Sequence, residues 1–307
     1  MTSNLDPSSA SQPAFSPCGL LNLNKPSGIT SRAVVDRVQR PLNRRVKVGH
    51  AGTLDPLASG VLVVCVGAAT RLIEYVQRQS KTYQTTVLLG ARSDTHDADG
   101  AITPQEGAAP PSLQAIHDAL ATQVGVILQK PPEYSALKVA GRRAYDLARA
   151  GEAVDLAPRP ITIHRIDVLG YHWPRVELEV ECEGGTYIRS IARDLGEILG
   201  CGGLVEVLVR TRIGAFTLAD AIDPEILSAA SISELLRPAL DAVSQLPSVT
   251  ISTAQLQDVA RGRAVILADA PEGEVALLGP DGLLVAVGQA EASTGRISPK
   301  RVLMGIG

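Results

Sequence analysis

The sequence predicts an α+β fold: a mixed, largely antiparallel sheet with flanking helices, followed by a small β-rich module. Three observations carry this. Over Arg175 to Glu183 (RVELEVECE), Val176, Leu178, Val180 and Cys182 alternate with charged residues, the period of a half-buried strand. After a Gly184-Gly185 turn, Ile188, Ile191, Ala192, Leu195, Ile198 and Leu199 fall on one helical stripe, so this strand feeds a helix. Beyond about residue 245 the pattern changes to short strands separated by turns. Strands that return antiparallel with helices laid on one side define the class. The expected organisation is a disordered tail over 1–18, a main domain over 19–245 and a second domain over 246–307.

Each element has a local reason. GLLNLNKPSGITS, from Gly19, is an apolar run ended by a Pro-Ser-Gly turn. Thr30 or Ser31 can N-cap the helix RAVVDRVQR, in which Val34, Val35 and Val38 share a face. Gly60 to Gly67 (GVLVVCVG) is continuously apolar and fits a buried strand, and KTYQTTVLLG from Lys81 is the next. ARSDTHDADGAITPQEGAAPP is a polar loop. Ser112 caps a helix with Leu113, Ile116, Leu120 and Val124 on its stripe. Thr186 can cap TYIRSIARDLGEILG, and Gly200 stops it. VALLGPDGLLVAV is a hairpin with Pro280 and Gly282 in its turn, and RVLMG closes the β-rich module.

Composition excludes several function classes. The 307 residues are 45% hydrophobic, enough for a packed core without disulfide staples. Cys18, Cys65, Cys182 and Cys201 form no CxxC pair, against a disulfide framework or zinc knuckle, and a reducing cytoplasm is the simplest compartment. No apolar run reaches the ~18 residues of a membrane span, and the N-terminus lacks the pattern of a secretory signal. There is no HExxH, no Walker A loop and no GxGxxG, which disfavours a zincin, an NTPase and a dinucleotide enzyme. A net charge of −3, from 29 Lys and Arg against 32 Asp and Glu, counts at first against a nucleic-acid partner.

Four segments nevertheless carry candidate chemistry. In VGHAGTLDPLASG, Asp55 is held extended by Pro56 on a loop at a strand entrance, and read locally it caps a short turn. Arg189 lies in the first turn of a helix, where the dipole disfavours a cation. It suits a site facing a fixed carboxylate or phosphate, or else a solvated face on which Arg193 pairs with Glu197. The stretch 129–151 interleaves Lys130, Lys138, Arg142, Arg143 and Arg149 with Tyr134 and Tyr145, a mix that fits folded RNA or an amphipathic helix. The stretch 32–47 sets six basic residues against Asp36, a local net +5 directly before Asp55.

Taken together, LNLNKPSGITS, VGHAGTLDPLASGVLVVCVGAATRLIEY, KTYQTTVLLGARSDTHDADG, QKPPEYSALKVAGRRAYDLAR and GGTYIRSIARDLGEILGCGGLVEVLVRTRIGAF make the chain resemble the bacterial tRNA pseudouridine synthase family TruB. The segments run in the family's order over residues of about 19 to 216, and the last 60 residues resemble its small PUA-like module. The resemblance implies a pseudouridine synthase core that isomerises uridine 55 in the T-loop of tRNA. It implies Asp55 as nucleophile, Tyr83 stacked on the target uracil and Arg189 paired with Asp55. His50 matches a histidine near the flipped base, Tyr187 and Leu208 match further pocket residues, and Lys25 and Pro26 match a supporting motif. No cofactor and no metal is implied, and a monomer suffices. Two positions depart from the pattern. The family pairs two arginines after the position of Leu208, where this chain has Val209 and Arg210, so Arg210 is not counted in the site. A lysine or similar residue before the Gly-Thr-Tyr turn is here Gly184.

The implied chemistry needs these residue types. The reaction breaks the uracil N1 to ribose bond, turns the base and rejoins it through C5. A carboxylate attacks sugar or base, or stabilises charge during elimination. An adjacent arginine keeps it ionised and oriented. A tyrosine offers an aromatic face and a phenol, and the base must leave its stack. The alternatives are a non-catalytic tRNA-binding or folding module, which has no need of the Asp55, Tyr83, Arg189 set, and a synthase for another RNA.

Overall fold

The computed structural model describes residues 17–135, 138–139, 142–143 and 156–304. The tail expected over 1–18 thus lies, up to residue 16, outside the described residues, as does most of the basic 129–151 stretch.

The main sheet is built from β1 (Gly19–Lys25), β2 (Val48–His50), β3 (Ser59–Val66), β4 (Lys81–Leu89), β7 (Gly125–Gln129), β10 (Arg159–His172), β11 (Arg175–Cys182), β12 (Gly203–Ile213) and β13 (Phe216–Thr217). Its order is β1-β3-β12-β4-β11-β10-β7, with β2 on β3 and β13 on β12. Every pairing is antiparallel except β12 with β3. The mixed, largely antiparallel sheet is therefore present. The strand β11 buries Val176, Leu178, Val180 and Cys182, the set its alternation marks.

The continuous apolar run of β3 has a simple cause. Its two faces are both covered, as in buried central strands. Leu62, Val64 and Val66 meet Val34, Val35 and Val38 of helix α1 (Ser31–Gln39), whose N-cap is Thr30. Val61, Val63 and Cys65 face the other way, onto Tyr75 and Val76 of α2 (Ile73–Arg78). Helices thus lie on both faces at this end of the sheet. Further along, α3 (Leu113–Ala121) and α4 (Ile188–Ile198) cover β4, β11 and β10 through Ile116, Leu120, Ile191 and Leu195.

Three local expectations are corrected. The α3 helix is capped by Ser112 but closes at Ala121, so Val124 lies beyond it, and Leu113 sits on its solvent side. The polar loop after β4 is partly ordered as a hairpin of β5 (Ala91–Ser93) and β6 (Ile102–Pro104). Helix α4 starts after Tyr187, not Thr186, and no side chain of its own caps it. A two-residue pair, β8 (Lys138–Val139) and β9 (Arg142–Arg143), falls in the basic stretch.

Helix α5 (Ala229–Leu235) precedes a second sheet of β14 (Ser248–Thr250), β15 (Val265–Ile266), β16 (Gly273–Leu278), β17 (Leu284–Glu291) and β18 (Arg296–Val302), ordered β14-β16-β17-β18-β15, with helix α6 (Thr253–Ala260) between β14 and β15. The expected hairpin is β16–β17, with Gly282 at φ +77° in its turn. This sheet is joined to the first by shared core: Ala276, Leu284, Val287 and Leu303 pack with Leu20, Val61 and Tyr75. Glu274 accepts from the Tyr75 hydroxyl at 2.9 Å, and Arg301 pairs with Glu74 at 2.7 Å.

Candidate active site

The Asp55 loop is pinned from three directions. Asp55, Pro56, Leu57 and Ala58 form a turn in which the Ala58 N–H donates to the Asp55 carbonyl at 3.1 Å, with proline at its second position. The buried Ser31 side chain, at the start of α1, accepts from Leu54 N–H at 2.8 Å and donates to Leu54 O at 2.9 Å. Fully buried Lys25, at the end of β1, donates to the carbonyls of Pro26, Ile29 and Pro56. Burial pulls its ammonium down to about 8, and the nearby Asp55 carboxylate opposes that pull.

The third support is Arg210, 1% exposed on β12. Its guanidinium donates to Val61 O at 2.8 Å, Gly52 O at 3.1 Å and Thr53 O at 3.4 Å. Buried cations persist only where such partners exist. Here one cation gathers the carbonyls on both sides of the Asp55 loop. The strand pairing leaves no room for a side chain at Gly60, where a Cβ would meet Arg210 O at 2.3 Å and φ is +100°. Tyr83 on β4 is the cross-strand neighbour of Arg210, whose charge opposes the rise that burial causes in the Tyr83 phenol pKa. Tyr83 is buried beside Leu54, Ala58 and Leu208, and burial raises its phenol pKa, so it carries its proton at neutral pH.

Arg189 enters from helix α4. It is the second residue of α4 and is 5% exposed. It pairs with Asp55 at 3.0 Å and with Asp97 at 3.5 Å, and donates to Thr95 O and Tyr134 O, both at 2.9 Å. The unfavourable place of a cation in a first helical turn is thus offset by two carboxylates. Asp97 is itself buried and receives Thr95 Oγ1 and the Asp99 N–H. Burial raises its pKa, which Thr95 and Arg189 resist.

The site residues read from the sequence are placed as follows. Asp55 and Arg189 are in direct contact, with Tyr83 behind the loop. Leu208, buried on β12, lies in the same core cluster as Tyr83 and also edges a shallow cleft with Leu57, Ser59 and Asp99. Tyr187 precedes α4, its ring 5.2 Å from the Arg159 guanidinium. His50 closes β2, five residues before Asp55. Arg193 bonds Asp194 and Lys130 O, while Glu197 lies 3.9 Å from Arg92. Sequence reasoning left out Arg210 and Asp97. The first carries a readable mark, since Leu208 and Arg210 share the buried parity of β12, where a cation is out of place. Gly184 also has a reason: a Cβ there would meet Gln77 O at 2.3 Å. In the basic 32–47 stretch, Arg32 pairs with Asp36 and Arg37 with Glu225, while Arg40, Arg44, Arg45 and Lys47 are exposed. Among the described residues no group of His, Cys, Asp and Glu is arranged to hold a metal ion, and no helix is long and apolar enough to cross a membrane.

Comparison with known proteins decides the family. Residues 39–188 match the N-terminal domain model of TruB family pseudouridylate synthases; 189–246 match the tRNA pseudouridylate synthase B C-terminal domain, and 247–303 the C-terminal model of pseudouridine synthase II TruB. The chain belongs to the TruB family of pseudouridine synthases. It is 40% identical over 292 residues to tRNA pseudouridine synthase B of Dehalococcoides mccartyi strain CBDB1, covering 93% of this chain and 96% of that one. It is 41% identical over 296 residues to the Thermobifida fusca protein of the same name, covering 94% and 99%. Among solved structures it resembles a chain of a Cbf5-Nop10-Gar1 complex (TM-score 0.72, 26% identity, 94% of this chain and 85% of that one). A second is a chain of an H/ACA RNP bound to a substrate RNA containing 2'-deoxyuridine (TM-score 0.70, 26% identity, 93% and 85%). The α+β architecture and a base-isomerising enzyme class follow for this TruB-family chain.

Proposed function

We propose that this enzyme isomerises uridine 55 in the T-loop of tRNA to pseudouridine, with Asp55 as the essential carboxylate. The observation that carries the reading is the 3.0 Å Arg189–Asp55 pair, set on a loop whose backbone is fixed by Ser31, Lys25 and Arg210. A half-exposed carboxylate bonded to a buried guanidinium is aimed and still reachable by substrate. The relatives' shared name supplies tRNA as substrate class, and the T-loop position follows the family resemblance.

The uridine is flipped out of its stack to Asp55, with the Tyr83 ring beneath the uracil and His50, Tyr187 and Leu208 around it. The C1'–N1 bond breaks while Asp55 attacks the sugar or base, or stabilises the charge that develops. The base turns, the C1'–C5 bond forms, C5 loses its proton and N1 gains one. Atoms and charge balance without oxidant or water. The exposed Arg40, Arg44, Arg45 and Lys47 hold the RNA backbone. One chain supplies the whole set, so the enzyme acts as a monomer, in the cytoplasm where tRNA is found.

The test is Asp55→Asn with full-length tRNA labelled at uracil C5. Release of label should fall by at least ~10³-fold, as when a catalytic nucleophile is removed elsewhere, with tRNA affinity within about twofold. Retained activity removes Asp55 from this role. For the backbone contacts, log Kd against log salt should be steep in the wild type and flatten by ~1 per lysine or arginine removed. A slope unchanged in Arg44→Ala/Arg45→Ala places the RNA elsewhere.

A further inference from the structure

Helix α4 carries Arg189, yet its first turn has no cap of its own. An uncapped start leaves orphan N–H groups and usually frays. Here a distant side chain does the capping. Gln129, at the end of edge strand β7 and 1% exposed, accepts the Tyr187 N–H at 2.9 Å and donates its amide to the Tyr187 carbonyl at 3.1 Å. The two bonds imitate a strand pairing with a single residue and hold the Tyr187 peptide in both directions. Next to it, the Lys130 carbonyl accepts from Ser190 Oγ at 2.9 Å and from Arg193 at 3.1 Å. The Tyr134 carbonyl accepts from Arg189. On the other side, Arg159 donates to Gly185 O and lies over the Tyr187 ring.

We propose that Gln129 is a positioning residue of the active site, and that with Arg159 it sets the Tyr187 ring, at the start of α4, against Asp55. The proposal rests on the reading above that Tyr187 borders the bound uridine. An isolated amide buried at the end of an edge strand needs partners for both its donor and its acceptor. Among the described residues, the backbone that its side chain satisfies is that of the residue that precedes Arg189 by two. An apolar side chain of the same size fills the space but frees Tyr187 to rotate about its backbone. Arg159 adds a flat guanidinium over the ring, a contact that lysine does not reproduce.

The experiment measures single-turnover release of label from tRNA and, separately, tRNA affinity. Variants are Gln129→Leu, Arg159→Lys and Tyr187→Leu, plus the double Gln129→Leu/Tyr187→Leu. A misplaced Tyr187 ring should slow Gln129→Leu by about tenfold and Arg159→Lys by about threefold, with Kd within about twofold. In the double variant, removing Gln129 should add less than about twofold to the loss caused by Tyr187→Leu, since both act through one ring. Wild-type rates in Gln129→Leu, or losses that multiply fully in the double variant, overturn the proposal. If Gln129→Leu does not fold, Arg159→Lys decides: its slowing supports the proposal and its wild-type rate overturns it. A wild-type rate in Tyr187→Leu overturns the reading that Tyr187 borders the uridine and the proposal with it, whereas a slowed Tyr187→Leu beside a wild-type Gln129→Leu overturns the proposal alone.

Discussion

Arg189 and Arg210 both hold the Asp55 loop and both are almost wholly buried, yet they are partnered in opposite ways. Arg210 bonds three backbone carbonyls. Arg189 bonds two carboxylates besides its two carbonyls. A carbonyl cannot take up a proton when its cation is lost, but a carboxylate can. The Arg210 side is therefore a fixed frame. The Arg189 side can exchange charge for protons, and that is the side on which Asp55, the carboxylate proposed to react, stands.

The largest effect expected from this contrast is on rate. Arg189→Met leaves Asp55 without its orienting cation, and single-turnover isomerisation should fall about 10²-fold, the scale of ~3 kcal/mol for a broken buried pair. Its loss of stability should be partly relieved as pH falls, because Asp97, already raised by burial, then takes up a proton. Melting curves across the carboxylate range check this. A deficit that does not shrink towards acid pH breaks the contrast. Next comes Arg210→Met, which strands the carbonyls of Gly52, Thr53 and Val61. It should lower the melting temperature by about 5–10 °C at any pH, the cost of several buried unsatisfied acceptors. A larger pH dependence than wild type would show that it shares the Arg189 role.

The smallest expected effect sharpens the frame. Lys25 has its pKa lowered from 10.5 to about 8, so between those values the unfolded chain holds a proton that the folded one has released. Unfolding then requires proton uptake, and stability contributed at this position rises with pH through that window. The difference in melting temperature between wild type and Lys25→Met should grow from pH 8 upward. A constant difference would mean that Lys25 keeps its proton on the three carbonyls it serves.

The fold was legible where burial is periodic. The alternation in β11, the stripe of α4 (apart from Ile198, which is exposed at the helix end) and the doubly buried β3 each follow from one segment's own pattern. The thread from Asp55 to Arg189 was legible through the family resemblance, because nothing local in GTLDPLASG or TYIRSIARD names a partner 134 positions away. Arg210 was discounted because its neighbour Val209 breaks a paired-arginine pattern. Its own work, gathering the carbonyls around residues 52 and 61, needs one guanidinium and a parallel pairing of β12 with β3 that no local pattern announces. Asp97 and Gln129 were hidden for the same reason. Each meets its partner only once the sheet order brings loops 58 or more residues apart to one edge. The extra hairpin of β5 and β6 went unread because Pro and Gly density marks turns, and here the turns join two very short strands.

The shared core between the two sheets has a consequence for how the protein is made. Leu20, Val61 and Val63 are sealed partly by residues that leave the ribosome more than 200 positions later, among them Ala276, Leu284 and Leu303. Chains fold from the N-terminus as they emerge, so the catalytic sheet waits with an open apolar face until its last strands arrive. The C-terminal module acts as a closing plate for the nascent enzyme, and shortening it would cost yield before it cost chemistry.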